Sequence, residues 1–376
     1  MNWTRVRAVA GKEFLHIRRD PRSLGMGIAI PMLLLILFGF ALSLDVEEVP
    51  LLVWDQSGTA ESRELVSRFT GSRYFSLHGH VESYRPIERA MDRGEVLMAL
   101  VIPTDFARQL GRGEPTAVQA LIEGSDANTA EITSGYARAI IDGYNRQVAM
   151  VRSDRAGRTF APPVEVQPRI WYNANLESRH YIIPGLIAVI MMVIAALLTS
   201  LTIAREWETG TMEQLLSTPL KGSELILGKL IPYFGIGLFD VLLAVLMGEF
   251  LFGVPLRGSV VLLFVMAAVF LIGALSLGLF ISIVTKSQLV ASQVAIVLTF
   301  LPAFLLSGFM YDIGNMPRPV QAVTYLVPAR YFVALLKGIY LKGVGLEVLA
   351  LQAGLLAAFA VLMVALARLK FRKKLF

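Results

Sequence analysis

The chain has 376 residues, 55% of them hydrophobic and only 17% charged, with a formal net charge of +6. Soluble domains carry nearer a quarter charged residues, so a large water-soluble globule is excluded, and the apolar excess sits in long charge-free runs. Cysteine is absent, which excludes disulfides and thiol chemistry, and the basic balance reads as membrane topology rather than nucleic-acid binding.

Residues 1–22 read as a cytoplasmic amphipathic helix lying on the membrane. Trp3, Val6, Val9, Ala10, Phe14 and Ile17 recur at helical spacing with Arg and Lys between them. Asp20-Pro21 breaks it. Six runs then have the length of a span: 24–44, 181–204, 230–256, 258–285, 287–311 and 348–367. A span needs about 20 apolar residues, and backbone groups in lipid must bond internally, so each is expected to be a helix. The first run exceeds the usual signal-peptide core of about 7–15 residues and is read as a retained anchor.

Arg5, Arg7, Lys12, Arg18, Arg19 and Arg22 precede the first run, and Arg368, Lys370, Arg372, Lys373 and Lys374 follow the last. Positive charge stays inside, so both ends are expected in the cytoplasm. Arg318, Arg330, Lys337 and Lys342, between the fifth and sixth runs, oppose that rule.

Residues 45–180 differ in kind, with mixed charge and Gly and Pro punctuation. Strands are expected at 50–54, 96–102 and 117–122, and helices at 60–69, 87–93, 105–110 and 128–152, followed by a connector at 161–168. The expected architecture is therefore an α-helical membrane protein with six transmembrane helices. An α/β extracytoplasmic domain at 45–180 is inserted between the first span (23–44) and a five-helix domain (181–376). No internal repeat is evident.

No nucleotide site is present. The nearest candidate, Gly222 to Gly228-Lys229-Leu230, has five residues between its glycines and no hydroxyl after the lysine, so it reads as a helix entering the membrane. His78 and His80 lack a third metal ligand nearby, and the triplet Asn2-Trp3-Thr4 lies on the wrong side for glycosylation.

The stretch 205–219 leaves the second span on the cytoplasmic side. Thr211 and Gln214 fit a capping box, so a helix is expected to start there, and Pro219 is expected to end it. Glu206, Glu208 and Glu213 are opposed only by Arg205 in this stretch. Either an ordinary solvated loop or a docking site for a basic partner accounts for that.

This stretch resembles the signature loop of ABC-2-type transporter permeases, the membrane subunits of ATP-binding-cassette exporters. Arg205, Glu206, Glu208, Gly210, Thr211, Glu213, Gln214, Leu215 and Pro219 match its pattern R-E-x-E-x-G-T-x-E-Q-L-x-x-x-P. Lys12-Glu13-Phe14 with Arg19-Asp20-Pro21 is similar to the family's interfacial helix. Leu306-Ser307-Gly308-Phe309 with Asn315-Met316-Pro317, and Tyr325 to Tyr331, are similar to its elements before the last span. The layout is similar to bacterial drug-exporter permeases of the inner membrane.

The resemblance implies that a separate cytoplasmic subunit uses ATP and Mg, while this chain binds no cofactor and is no enzyme. It implies that 205–221 couples that subunit to the spans and that two permeases, identical or paralogous, pair. A periplasmic adaptor and an outer-membrane channel are further implied partners.

Two acids interrupt the third span. Asp240 is expected to line a pathway, pair across a dimer or hydrogen-bond to a neighbouring helix. Glu249, near Gly253 and Pro255, is expected to reach the interface. The segment from Gly308 to Tyr331, broken by Pro317, Pro319 and Pro328 and carrying Arg330, is expected to form a re-entrant or interfacial cap that narrows the exit. Two functions remain: an exporter permease for amphipathic or hydrophobic substrates, and a membrane receptor or envelope-assembly platform. Few intramembrane charges and no repeat disfavour an ion-coupled transporter.

Overall fold

The computed structural model describes residues 1–20, 24–42, 48–155, 172–173 and 177–371. Two compact units divide the chain, one of residues 1–43 with 169–376 and one of residues 44–168. In chain order the first unit opens with α1 (Trp3–Arg19), a π-helical turn (Gly25–Ala29) and α2 (Ile30–Ala41). The second unit follows as β1 (Val49–Asp55), α3 (Ala60–Thr70), β2 (Phe75–His80), α4 (Tyr84–Asp92), β3 (Met98–Ile102), α5 (Phe106–Arg112), β4 (Gln119–Ile122) and α6 (Ala127–Arg155). The first unit resumes with α7 (Ser178–Glu208), α8 (Thr211–Ser217), α9 (Gly222–Leu246), α10 (Val260–Thr285), α11 (Gln288–Leu306), α12 (Arg318–Thr324), α13 (Pro328–Lys337) and α14 (Leu346–Lys370).

In the second unit the sheet order is β2-β1-β3-β4, with β1 parallel to β2 and β3 and only β4 antiparallel. Parallel strands need crossovers, and α3 and α4 supply them. Every residue of β3 is buried, as expected of a strand covered on both faces. Alternate residues divide between those faces. Val49, Leu51, Val53, Met98 and Leu100 pack with Leu65 and Phe69, while Leu52, Ala99 and Val101 pack with Ile87 and Ala90. Strand β2 escaped the sequence reading because only Phe75 of it is buried, so it has no apolar alternation to detect. The connector expected at 161–168 lies outside the described residues.

The first unit is helical. Among the described residues, five of its helices are long and apolar enough to cross a membrane, α7, α9 with its π-helical end (Met247–Leu251), α10, α11 and α14. A bent pair makes up to six: α12, then α13 running on through Gly338–Lys342, meet at 85°. The first expected span is shorter than its sequence run. Its described helix ends at Ala41, leaving an apolar helix over Gly27–Ala41. A charge-free run measures hydrophobicity, not helix length.

Helix α7 is the axis of this unit. Its apolar window is 89% buried, against 22–50% for the other four long spans. Two polar links tie it to α10: the Thr199 hydroxyl donates to the Leu275 carbonyl at 2.8 Å, and Ser282 Oγ accepts from the Ile203 and Ala204 amides at 3.0 and 2.8 Å. Such small polar residues let membrane helices approach closely. Gly278 completes the crossing, because a Cβ there would overlap the Ala196 carbonyl and the Thr199 hydroxyl. Gly278→Ala is therefore expected to lower stability by about 1–3 kcal/mol. Gly235→Ala, with open space around it, is expected to leave stability intact. Thermal unfolding of the two purified variants checks this; equal midpoints would refute the tight crossing.

Candidate coupling site

The last turn of α7 holds Arg205, Glu206, Trp207 and Glu208, and each reaches a neighbouring element. Arg205 meets His16 at 2.5 Å and Asp20 at 3.6 Å, both beside α1's end, and Gln288 at 3.4 Å. Glu206 accepts from Lys12 of α1 at 2.9 Å, from Lys229 of α9 at 3.2 Å, and from the Thr211 hydroxyl. The Lys286 ammonium, just past α10, sits 4.6 Å from the Trp207 ring centre, a cation–π distance. Glu208 accepts from the Gln288 backbone amide at 2.8 Å and from its side chain at 2.5 Å. One helical turn thus binds α1, α9, the end of α10 and the start of α11.

Lys229 lies at the centre. It is 1% exposed, and its ammonium donates to Glu13 of α1 at 2.5 Å as well as to Glu206. Glu13 and Glu206 are themselves 4% and 7% exposed. A buried ammonium is tolerated only when paired, and with Lys12 the group carries two charges of each sign. The sequence reading assigned Lys229 only to a failed phosphate loop. Its signal was nonetheless present, as a lone lysine inside an apolar helical face that needs a carboxylate partner.

The charge reading of the loop is corrected in consequence. Glu206 is neutralised inside the protein by Lys12 and Lys229, whereas Glu208 accepts from the uncharged Gln288 and stays an exposed acid. Glu213, Gln214, Ser217 and Pro219 make the exposed edge. The capping reading is corrected too. Helix α8 begins at Thr211 as expected, but Gly210 precedes it at φ 72° with no side-chain cap, and the Thr211 hydroxyl turns back to Glu206. That left-handed backbone favours glycine and reverses the chain after α7. Met212, fully buried with Ile203, Ile226 and Leu279, anchors α8 from beneath.

Helix α1 braces this loop at both ends. Arg5 donates to the Pro219 carbonyl at 2.5 Å and lies 3.7 Å from Glu224, which also accepts from the Asn2 amide at 2.8 Å. The buried stripe of α1 is Val6, Val9, Glu13 and Ile17. Trp3 and Phe14, expected on that stripe, are instead exposed at 67% and 58%, and Arg19 is exposed. Their place beside the buried stripe suits a membrane interface, because helical geometry sets them one step round from it. A Cβ on Gly228 would overlap Val9 and approach the Val6 carbonyl, so glycine lets α1 lie against α9.

The remaining candidates lie elsewhere. Asp240 is 2% exposed, and among the described residues its Oδ1 has no hydrogen-bond partner. No described residue supplies the expected hydrogen bond to that oxygen. Glu249 is exposed in the π-helical end of α9, so the two acids form no common site. Of the residues expected in the cap, Gly308 and Arg330 line one cavity, whereas Pro317 and Pro328 do not. Lys337 donates to the Gly308 carbonyl at 2.8 Å and lies 3.5 Å from the Tyr181 ring centre. Arg330 lies 3.8 Å from the Tyr325 ring and bonds the Thr324 hydroxyl. Pro317 and Pro328 start α12 and α13. This segment extends past Tyr331 to Lys342 and helps line a cavity of about 400 Å³. Of the four cations between the fifth and sixth runs, Arg330 and Lys337 have these internal partners.

Lys229→Met leaves two carboxylates facing each other in a buried site and is expected to cost about 3–5 kcal/mol. Glu213→Gln, on the exposed edge, is expected to stay within about 0.5 kcal/mol of the parent. Thermal unfolding measures both, and an unchanged midpoint for Lys229→Met would sink the central role given to that lysine.

Known proteins share this chain's full length. Over all 376 residues, covering 98% of the relative, it is 40% identical to the probable multidrug ABC transporter permease YbhS of Escherichia coli K12. It is 29% identical over 346 residues, 92% of this chain and 91% of the relative, to the probable multidrug ABC transporter permease YbhR of the same strain. It is 28% identical over 358 residues, 91% and 92% of the two chains, to that strain's inner membrane transport permease YhhJ. The family model for ABC-2 family transporter protein matches residues 21–369. The chain that builds this braced loop at the end of its central helix therefore belongs to the ABC-2 family of membrane transporter permeases.

Proposed function

We propose that this chain is the membrane half of an exporter driven by a separate ATP-binding subunit, which docks on the 205–221 loop. One observation carries the reading. The exposed edge of α8, with Glu213 and Gln214, is mounted on the last turn of the most enclosed helix of the bundle. A push on that edge reaches α7 directly, and through Glu206 and Arg205 it reaches α1, α9 and α11. The partner uses ATP and Mg; this chain supplies the lever and the path.

In this reading both termini lie in the cytoplasm of a bacterial cell, the chain is a multi-pass protein of the inner membrane, and the α/β unit lies outside it. Two copies, or this chain with a paralogue, form the transporter. A periplasmic adaptor and an outer-membrane channel continue the route. The substrate is amphipathic or hydrophobic and moves outward, a reading supported by the multidrug names of two relatives and by the apolar helices. Asp240, buried without a described partner, lines the path, and the segment from Gly308 to Lys342 caps its exit.

Two experiments test this. Glu213→Lys is expected to abolish co-purification of the ATP-binding subunit while the thermal midpoint holds. Undiminished co-purification would return the chain to the receptor or assembly-platform reading. Asp240→Asn is expected to lower substrate export by about tenfold or more with ATPase activity retained, the scale of one lost charged contact; normal export would remove Asp240 from the path.

A further inference from the structure

At the end of the bundle that carries the coupling loop, α9, α10 and α14 leave a groove of about 750 Å³ between them. Ile226, Leu230 and Phe234 line it from α9, Ile272 from α10 and Val364 from α14. The lining on α9 runs from Ser223 to Phe234. At 1.5 Å per residue that is about 16 Å, close to half of the ~30 Å hydrocarbon thickness. The groove therefore has the depth of one leaflet and an apolar wall throughout that depth.

Its mouth is cationic. Lys221 and Arg368 both line it and are exposed. Neither ammonium nor guanidinium has an ion pair among the described residues. The acid of the same turn, Glu224, does not neutralise them, because it is buried and engaged by the Asn2 and Lys221 amides at 2.8 and 3.0 Å, with Arg5 at 3.7 Å. The α9 N-terminus adds the partial positive charge of its dipole at this same end. An apolar slot one leaflet deep, closed at its polar end by two cations that no described residue pairs, matches one molecule of the surroundings in both halves. We propose that it binds an acidic phospholipid of the leaflet at the coupling-loop end, the acyl chain in the groove and the phosphate between Lys221 and Arg368. A zwitterionic lipid would bring its own ammonium to that mouth and is disfavoured there.

The test is lipid retention, which needs neither transport nor a bound ATPase and so stands apart from the function proposed above. The purified full chain is offered phosphatidylglycerol and phosphatidylcholine of identical acyl chains, and bound lipid is read by native mass spectrometry. Phosphatidylglycerol is expected to be retained preferentially. Lys221→Gln and Arg368→Gln should each weaken its binding about fivefold, and the pair about thirtyfold. Both side chains are exposed, so folding is not at stake. Lys370→Gln, a cation of the same helix end outside the groove, should change nothing. Ile231→Trp, which fills the groove wall with the charges intact, should also weaken retention. Equal retention of the two lipids, or an equal loss with Lys370→Gln, would overturn the site and leave only a basic surface. A change of oligomeric state with Ile231→Trp and unchanged lipid binding would likewise overturn it and assign the groove to a second copy.

Discussion

The Lys229 ammonium, held between Glu13 and Glu206, is the interaction on which the loop-bearing end of this protein depends. It joins α1, α7 and α9, which are otherwise separate elements far apart in sequence. Taking three charges out of water is expensive, and attraction in the interior repays it only when geometry is good and the remaining lone pairs are used. The geometry is close, and the lone pairs of Glu206 are used. Lys12 and Thr211 take further acceptor positions of Glu206, and Gly228 brings the α1 backbone close enough for Glu13 to reach. The triad is weak evidence for stability in itself. Its consequence is register: α1 has one position along α9 at which Glu13 meets Lys229, and there Val6, Val9 and Ile17 are also buried.

Once α1 is fixed, the loop is fixed. Arg5 takes the Pro219 carbonyl at the far end, while Lys12 and His16 take Glu206 and Arg205 at the near end. The loop is thus a bracket spanned by a helix rather than a free connection. Its apolar underside, Met212, completes the seat. What remains exposed is narrow, and this geometry limits which side chains a docking subunit touches. A loop can carry a whole acidic pattern without turning all of it toward a partner.

Much of this was legible in the sequence, but not all of it. The long apolar runs gave α7, α9, α10, α11 and α14, because burial in lipid writes itself into composition. The loop, its helix starting at Thr211 and its end near Pro219 were legible from local chemistry. The role of Glu206 was not, since its partners Lys12 and Lys229 are 194 and 23 residues away. Charges counted within one stretch suggest a patch from which three-dimensional pairing removes Glu206. The amphipathic face of α1 failed in a related way. Periodicity found its apolar residues, but it cannot divide them between a protein contact (Val6, Val9, Ile17) and an exposed edge (Trp3, Phe14). Strand β2 was hidden because an edge strand with one buried residue carries no period-two signal.

The same pairing logic separates the two acids of α9. Glu249 sits exposed at the helix end and needs no partner. Asp240 is buried in mid-helix, and the described residues leave its Oδ1 unbonded. A structural role leaves that oxygen unexplained, because a buried acceptor that no described residue pairs costs stability that an apolar side chain would not. Glu13, Glu206 and Glu224 show how this fold treats acids that it buries for structure: it gives each one hydrogen-bond donors and a cation. Asp240 departs from that pattern on a helix whose other end is clamped by the coupling loop. On the proposed reading, a group kept unsatisfied at rest is one whose partner arrives with substrate or with the second permease, and movement of α9 relative to α7 would change what that carboxyl meets.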